Sequence, residues 1–326
     1  MIKRVSVLPA LLFFAAGSAI ADPVLQDNLG WLKVMAFAAH QTDFSGTFVY
    51  QYGNHVETSR ITHVVDRDGE HGRLEGLDGA RREIISNNDQ VWCYLGDRKV
   101  KLGKRSRGSE FPALLPQQLT LMNENYQIQQ NDEGRVAGFH AHAMIFRPRD
   151  NLRYARRMWA HADSGLLLKA EILDEQGHVI EQYAFTQLNI GGNIDRKWIE
   201  SDKSANDVVE DKSAVEQVQK TVSMQPSGWK VSALPAGFKK VTEIRRVLRG
   251  KKTPATHMVF SDGLAGISIF IEAADEDEEN INTGLSSKGA MHVYSKLSGD
   301  NLVTVVGEVP PRTVMQIADS VYYSGK

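Results

Sequence analysis

The stretch Phe44-Ser45-Gly46-Thr47-Phe48-Val49-Tyr50-Gln51-Tyr52 decides the fold of this 326-residue chain. Phe44, Gly46, Phe48, Tyr50 and Tyr52 alternate with Ser45, Thr47, Val49 and Gln51. A period of two puts the aromatic set on one face of a β-strand. Just before it, Pro23 to Thr42 follows a helical period, with Leu25, Leu29, Leu32 and Ala36 in register and Val34, Phe37 and Ala38 widening the apolar face. The switch of period marks the entry into a long β region.

Strands are predicted near Glu57–Asp66, Gly72–Leu77, Arg81–Ser86 and Val91–Leu95, then at Tyr126–Gln130, Phe139–Arg147, Tyr154–His161, Leu166–Asp174 and Val179–Ile190. Turn residues separate them: Asp66-Arg67-Asp68-Gly69, Asp78-Gly79, Asn87-Asn88-Asp89, Asp163-Ser164-Gly165 and Asp174-Glu175-Gln176-Gly177. Phe111, Leu114, Leu115, Leu119 and Met122 predict a short helix over Phe111–Asn123. About ten sequential antiparallel strands cannot stay flat. The expected class is α+β: a curled antiparallel sheet, an unclosed barrel with helices plugging its concave side, followed by a smaller α+β domain.

The expected divisions are a signal peptide over 1–21, the curled-sheet domain over 22–199, a linker over 200–227 and the second domain over 228–326. In the leader, Lys3 and Arg4 precede an apolar run from Val5 to Ala16, and Ala19-Ile20-Ala21 offers small residues for cleavage before Asp22. No Cys stands at the cut, so no lipid anchor is expected. Removing the two leader bases takes the formal charge from −2 to −4. That mild acidity, with a location outside the cytoplasm, argues against nucleic acid, ATP and NAD as ligands. Cys93 is the single cysteine, in an apolar strand, and reads as a buried small hydrophobe. The linker is polar. The second domain is expected to carry strands at Lys240–Leu248, His257–Ser261, Gly266–Glu272, Ala290–Lys296 and Leu302–Glu308, and a helix over Pro310–Tyr322.

A catalytic kit is not visible. There is no G-x-S-x-G elbow and no H-E-x-x-H. His140 and His142 share a strand face but lack further ligands, and His161 adds little, so neither a metal nor a cofactor is expected. The acidic run Asp275–Glu279 lacks the pattern of a calcium loop. Two basic stretches stand out. Arg98, Lys99, Lys101, Lys104, Arg105 and Arg107 are candidates for capturing an anion such as lipid phosphate, against the plainer reading of solvated loop edges. Arg147, Arg149, Arg153, Arg156 and Arg157 form the second. The aromatic strand face packs a core by default. In a curled sheet it can instead line a cavity for acyl chains, each buried methylene contributing about 0.8 kcal/mol. The lining candidates are Phe44, Phe48, Tyr50, Tyr52, Trp92, Leu115 and Leu119.

Several short segments occur in a telling order: Leu77-Asp78-Gly79-Ala80-Arg81-Arg82-Glu83, Trp159, Asp163 with Gly165-Leu166-Leu167-Leu168-Lys169, Leu173-Asp174-Glu175-Gln176-Gly177, Glu181-Gln182-Tyr183, Leu234-Pro235-Ala236-Gly237-Phe238, Ser261-Asp262-Gly263-Leu264 and Val306-Gly307-Glu308-Val309-Pro310-Pro311. In that order and spacing they resemble the RseB/MucB family of periplasmic sigma-E regulators. The resemblance implies a first domain like the lipoprotein carriers LolA and LolB, and a periplasmic location. It implies a negative regulator of the envelope stress response, not an enzyme. Its partner would be the periplasmic domain of a RseA/MucA-type transmembrane anti-sigma factor, which it would shield from regulated proteolysis. Lipopolysaccharide or lipoprotein acyl chains would trigger release, and MucB-type relatives restrain alginate production. Homo-oligomerisation stays open. The implied partner surface falls near Phe238, Asp262, Leu264, Glu308 and Arg312. Two other functions compete: a lipid or lipoprotein carrier without a regulatory partner, and an envelope hydrolase built on His140, His142 or His161.

Overall fold

A computed structural model describes residues 23–88, 90–96, 98–102, 110–116, 119, 122–199, 227–247, 253–274 and 283–325. The expected leader, most of the expected linker, Lys104, Arg105, Arg107 and the run Asp275–Glu279 lie outside the described residues.

The first body is one eleven-stranded antiparallel sheet. Helix α1 (Pro23–Gln41) precedes β1 (Phe44–Tyr52), β2 (His55–Asp66), β3 (Gly69–Gly76), β4 (Arg82–Asn87), β5 (Gln90–Leu95) and β6 (Arg98–Leu102). A short α2 (Met122–Asn125) leads into β7 (Tyr126–Val136), β8 (Phe139–Pro148), β9 (Ala155–His161), β10 (Leu167–Leu173) and β11 (Val179–Ile190). Two meanders join at the middle, where β1 pairs with β11, leaving β6 and β7 as the outer strands. The sheet is therefore unclosed and curled, as its length demands.

The β1–β11 seam carries the aromatic pattern. Phe48 sits opposite Phe185 across a register shift at Thr47/Phe48. Gly46 lets the strands approach there: a Cβ at this position would lie 2.5 Å from the Gln187 carbonyl oxygen. Phe44 and Phe48 are buried with Phe111, Phe146, Phe185, Leu115, Leu119, Met144 and Met158, and α1 lays Leu32, Met35, Ala36, Ala38 and Ala39 on the same core. Val34 and Phe37 do not widen that face: both point outward and are exposed.

The segment from Phe111 differs from expectation. Its described residues form turns and an isolated Glu110–Ala113 bridge, and helix appears only at Met122–Asn125. Pro116 explains this, because it lacks an amide hydrogen and pushes Leu115 away from helical angles. Leu115 and Leu119 still reach the core.

The second body is a six-stranded antiparallel sheet in the order β13 (Lys239–Val247), β14 (Pro254–Ser261), β15 (Gly266–Ala273), β18 (Asn301–Gly307), β17 (Met291–Ser298) and β16 (Gly284–Lys288). Helix α3 (Pro311–Asp319) buries Val314, Ile317 and Ala318 in one core with Met258, Ile269, Val303 and Val305, and Thr313 on its first turn is also buried. A two-stranded ribbon, β12 (Trp229–Val231) with β19 (Val321–Tyr323), ends the domain. The helix stops at Asp319, short of the expected Tyr322, because the chain turns there into β19.

Phe146 is fully buried at the centre of the first core. Phe146→Ala is expected to destabilise the chain by about 3–5 kcal/mol in urea unfolding, the usual cost of such a cavity.

Candidate functional site at the domain junction

The two sheets meet through a polar contact assembled from distant segments. Arg153, in the turn between β8 and β9, donates from Nε to the Asp262 carboxylate at 2.6 Å and also bonds Asp150 and the Ala236 carbonyl. Tyr126 at the start of β7 donates to the same Asp262 oxygen at 2.9 Å. The guanidinium lies 5.0 Å from the Phe238 ring centre and 5.8 Å from that of Tyr126. Both charged side chains are shut from solvent: Arg153 is 1 % exposed and Asp262 0 %. Burial alone would lower the Arg153 pKa, but the Asp262 hydrogen bond and charge hold it above its ordinary value. Asp262 also shapes its own turn by accepting the amides of Leu264 and Ala265.

Arg156 on β9 donates to Glu308 at 2.8 Å. Thr313 at the start of α3 donates to the Leu152 carbonyl at 2.9 Å. Arg312 pairs with Glu175 at 2.5 Å. Glu181 on β11 accepts the backbone amide of Ala290 at 3.0 Å. Nearby, Lys288 sits 5.2 Å from the Tyr52 ring centre.

Between these fastenings runs a cleft of about 370 Å³, within the size range of ligand sites. Leu114, Met158, Ala170, Ile172 and Tyr183 line it from the first domain, and Val259, Leu264, Gly266, Ile267, Met291 and Val306 from the second. Arg156, Glu171, Glu181 and Glu308 are its charged groups. Burial pushes the Glu171 carboxyl up, but hydrogen bonds from Arg157, Lys169 and Trp159 outweigh it and hold the group below its ordinary value.

The expected partner residues all fall on this junction. Asp262, Glu308 and Arg312 are engaged in ion pairs with the first domain, Phe238 lies under Arg153, and Leu264 packs on the first-domain core. The lining candidates split. Phe44, Phe48, Leu115 and Leu119 pack against one another in the core. Tyr50 stacks on Tyr183 at 4.6 Å, and Tyr52 lies beside it, at the end of the strand nearest the second domain. Grouping Trp92 with them is corrected. Trp92 pairs with Ile85 in the column that includes Ser45, on the face opposite Phe44, because strand registers keep side chains of one column on one side.

Lys99 lies over the rings of Trp92 and Tyr94 at 5.4 and 5.2 Å, and Lys101 is exposed on β6. The side chain of Arg98, with Lys104, Arg105 and Arg107, lies outside the described residues. In the second basic cluster, Arg153, Arg156 and Arg157 are committed to carboxylates. His142 pairs with Glu133 and His161 with Ser164. No group of three metal-capable side chains occurs among the described residues. Reading the sequence alone missed Arg153, Tyr126 and Glu181 as junction residues. An arginine in a polar turn and a tyrosine opening a strand carry no mark of burial.

A curled open sheet fastened to a smaller sheet domain around a cleft defines a two-domain β protein built about its junction. The chain belongs to the MucB/RseB family: residues 27–203 match the MucB/RseB N-terminal domain and residues 223–322 the C-terminal domain. It is 33 % identical over 319 residues to the sigma factor AlgU regulatory protein MucB of Pseudomonas aeruginosa, covering 95 % of this chain and 96 % of that one. It is 27 % identical over 324 residues to the sigma-E factor regulatory protein RseB of Salmonella typhimurium, covering 98 % and 96 %. Among solved structures it resembles the Pseudomonas aeruginosa MucA/MucB complex, with a TM-score of 0.72, 29 % identity, and coverage of 92 % of this chain and 100 % of that chain. A second structure, MucB in complex with MucA(peri), gives a TM-score of 0.71 at 28 % identity, again covering 92 % and 100 %.

Removing one member of the buried pair leaves the other charge stranded. Arg153→Met or Asp262→Asn is expected to weaken the junction by about 3–5 kcal/mol. The readouts are a larger radius of gyration and separate melting of the two domains. Arg153→Met combined with Asp262→Leu should recover much of the loss, since an apolar pair strands no charge.

Proposed function

We propose that this chain is a periplasmic negative regulator of the sigma-E type envelope stress response. It binds the periplasmic region of a transmembrane anti-sigma factor of the RseA/MucA type and keeps that region from regulated proteolysis. One observation carries the reading. Family segments scattered along the sequence converge on the domain junction: Glu181–Tyr183, Ser261–Leu264 and Val306–Pro311 contribute residues to the cleft, and Leu234–Phe238 meets Arg153 beside it. Two structurally similar relatives are complexes with MucA, which supports a peptide-like occupant. The cleft has apolar walls and charged edges, a surface that suits an extended segment with alternating apolar and polar side chains.

In this reading the protein works by holding its partner, without catalysis or a cofactor. Residues 22–199 and 228–326 are the two grips, and 200–227 is the tether. Envelope lipids, lipopolysaccharide or lipoprotein acyl chains, act by preferring one arrangement of the grips, which is the only way a ligand can shift the equilibrium. A homo-oligomer would present several clefts.

The test is calorimetric titration of the mature chain with the periplasmic segment of a MucA-type anti-sigma factor. Saturable binding is expected. Absence of binding at about 100 µM segment, some 5 kcal/mol of affinity or less, defeats the reading. Gly266 lines the cleft, and a Cβ added there would meet nothing within 4 Å. Gly266→Trp should therefore fill the cleft and cut affinity at least about tenfold, or 1.4 kcal/mol, with thermal unfolding unchanged.

A further inference from the structure

We infer that Glu181 is a proton-operated fastener between the two domains, closing the junction when its carboxyl is neutral and easing it when ionised. Glu181 is only 3 % exposed, although it stands on a strand of the first domain and reaches the second. Its carboxyl accepts the Ala290 amide at 3.0 Å in the turn between β16 and β17. The turn is pressed close: a Cβ on Gly289 would lie 2.6 Å from the same oxygen, and Gly289 has a φ of 59°. On the first-domain side the Tyr50 phenol faces the Glu181 carboxyl. Once docked, the group has a backbone donor and a phenol in place of bulk water.

The surrounding charges decide which form suits that pocket. Tyr50 and Tyr52 face it from β1, Tyr183 from β11, Arg156 from β9 and Glu308 from the end of β18. Lys288 stands over Tyr52, and His292 on β17 bonds the Ala290 carbonyl. Arg156 is already engaged by Glu308 at 2.8 Å, so one arginine serves two carboxyls. Burial and the Glu308 charge raise the Glu181 pKa, outweighing the Ala290 amide, Tyr50 and Arg156, which lower it. A neutral carboxyl still fits: its carbonyl oxygen accepts from Ala290 and its hydroxyl can donate to the Tyr50 oxygen.

The sign follows from linkage. When the domains separate, Glu181 returns to water and to an ordinary carboxyl pKa. The docked state holds the proton more tightly, so docking strengthens as pH falls through the raised value and levels off below the ordinary one. Each unit of elevation gives about a tenfold change in the docking constant. The device does not depend on which partner occupies the cleft.

Hydrogen exchange of the full mature chain tests it, followed at the segment 289–292 from about pH 8 to about pH 5 and corrected for the intrinsic pH dependence of exchange. Protection there is expected to rise several-fold on acidification, with the radius of gyration falling in parallel, while strand β13 stays level. Glu181→Gln should show high protection at every pH. Glu308→Gln should move the transition to lower pH, because it removes a like charge and frees Arg156. A level wild-type profile overturns the inference, as does a Glu181→Gln profile with the wild-type slope or an unmoved Glu308→Gln transition.

Discussion

The arrangement of the two domains depends on one buried ion pair. Arg153 and Asp262 are more than one hundred residues apart and both are closed off from water. Removing two charges from water costs several kcal/mol per ion, and only good geometry with further hydrogen bonds offsets it. Here Asp150, the Ala236 carbonyl and Tyr126 supply those bonds. A pair with such directional demands is satisfied in few relative positions of the domains. It therefore acts more as a register than as a source of stability. The cleft exists because that register sets the second sheet beside the first without collapsing onto it.

This explains why the charged residues of the junction are arranged as they are. A purely apolar contact of the same area would slide and seal. Polar fastenings around an apolar gap hold the walls apart and leave them wettable. Arg156 with Glu308, Arg312 with Glu175 and Glu181 with the Ala290 amide each join one wall to the other. Contacts of this kind vary in strength with ligand, charge and proton.

Much of the fold was legible in the residues. Alternation along Phe44–Tyr52 and the closely spaced turn residues gave the curled sheet, and Val179–Ile190 was read to the residue. Local chemistry misled elsewhere. The apolar spacing from Phe111 to Met122 imitates a helix, but Pro116 stops it. Arg98–Leu102 is a strand whose basic residues hid its alternation, and Gly284–Lys288 is an exposed edge strand with little apolar pattern. Trp92 showed that a period of two does not say which face is inward until the register with β4 is known. The family resemblance drew attention to Phe238, Asp262, Leu264, Glu308 and Arg312, but it supplied no reason for them. The reason is their meeting with Arg153, Arg156 and Glu175 across a junction that only the folded chain brings together.

The central claim is that the interdomain cleft holds the partner. Site-specific photo-crosslinking in the full chain tests it most directly, with a compact diazirine side chain of methionine's size at Met291, which lines the cleft, and, in a second preparation, at Val241 on the exposed outer strand β13. With the periplasmic segment of a MucA-type anti-sigma factor present, the account predicts cross-links from position 291 and none above background from position 241. Cross-linking from position 241 with none from position 291 would contradict it.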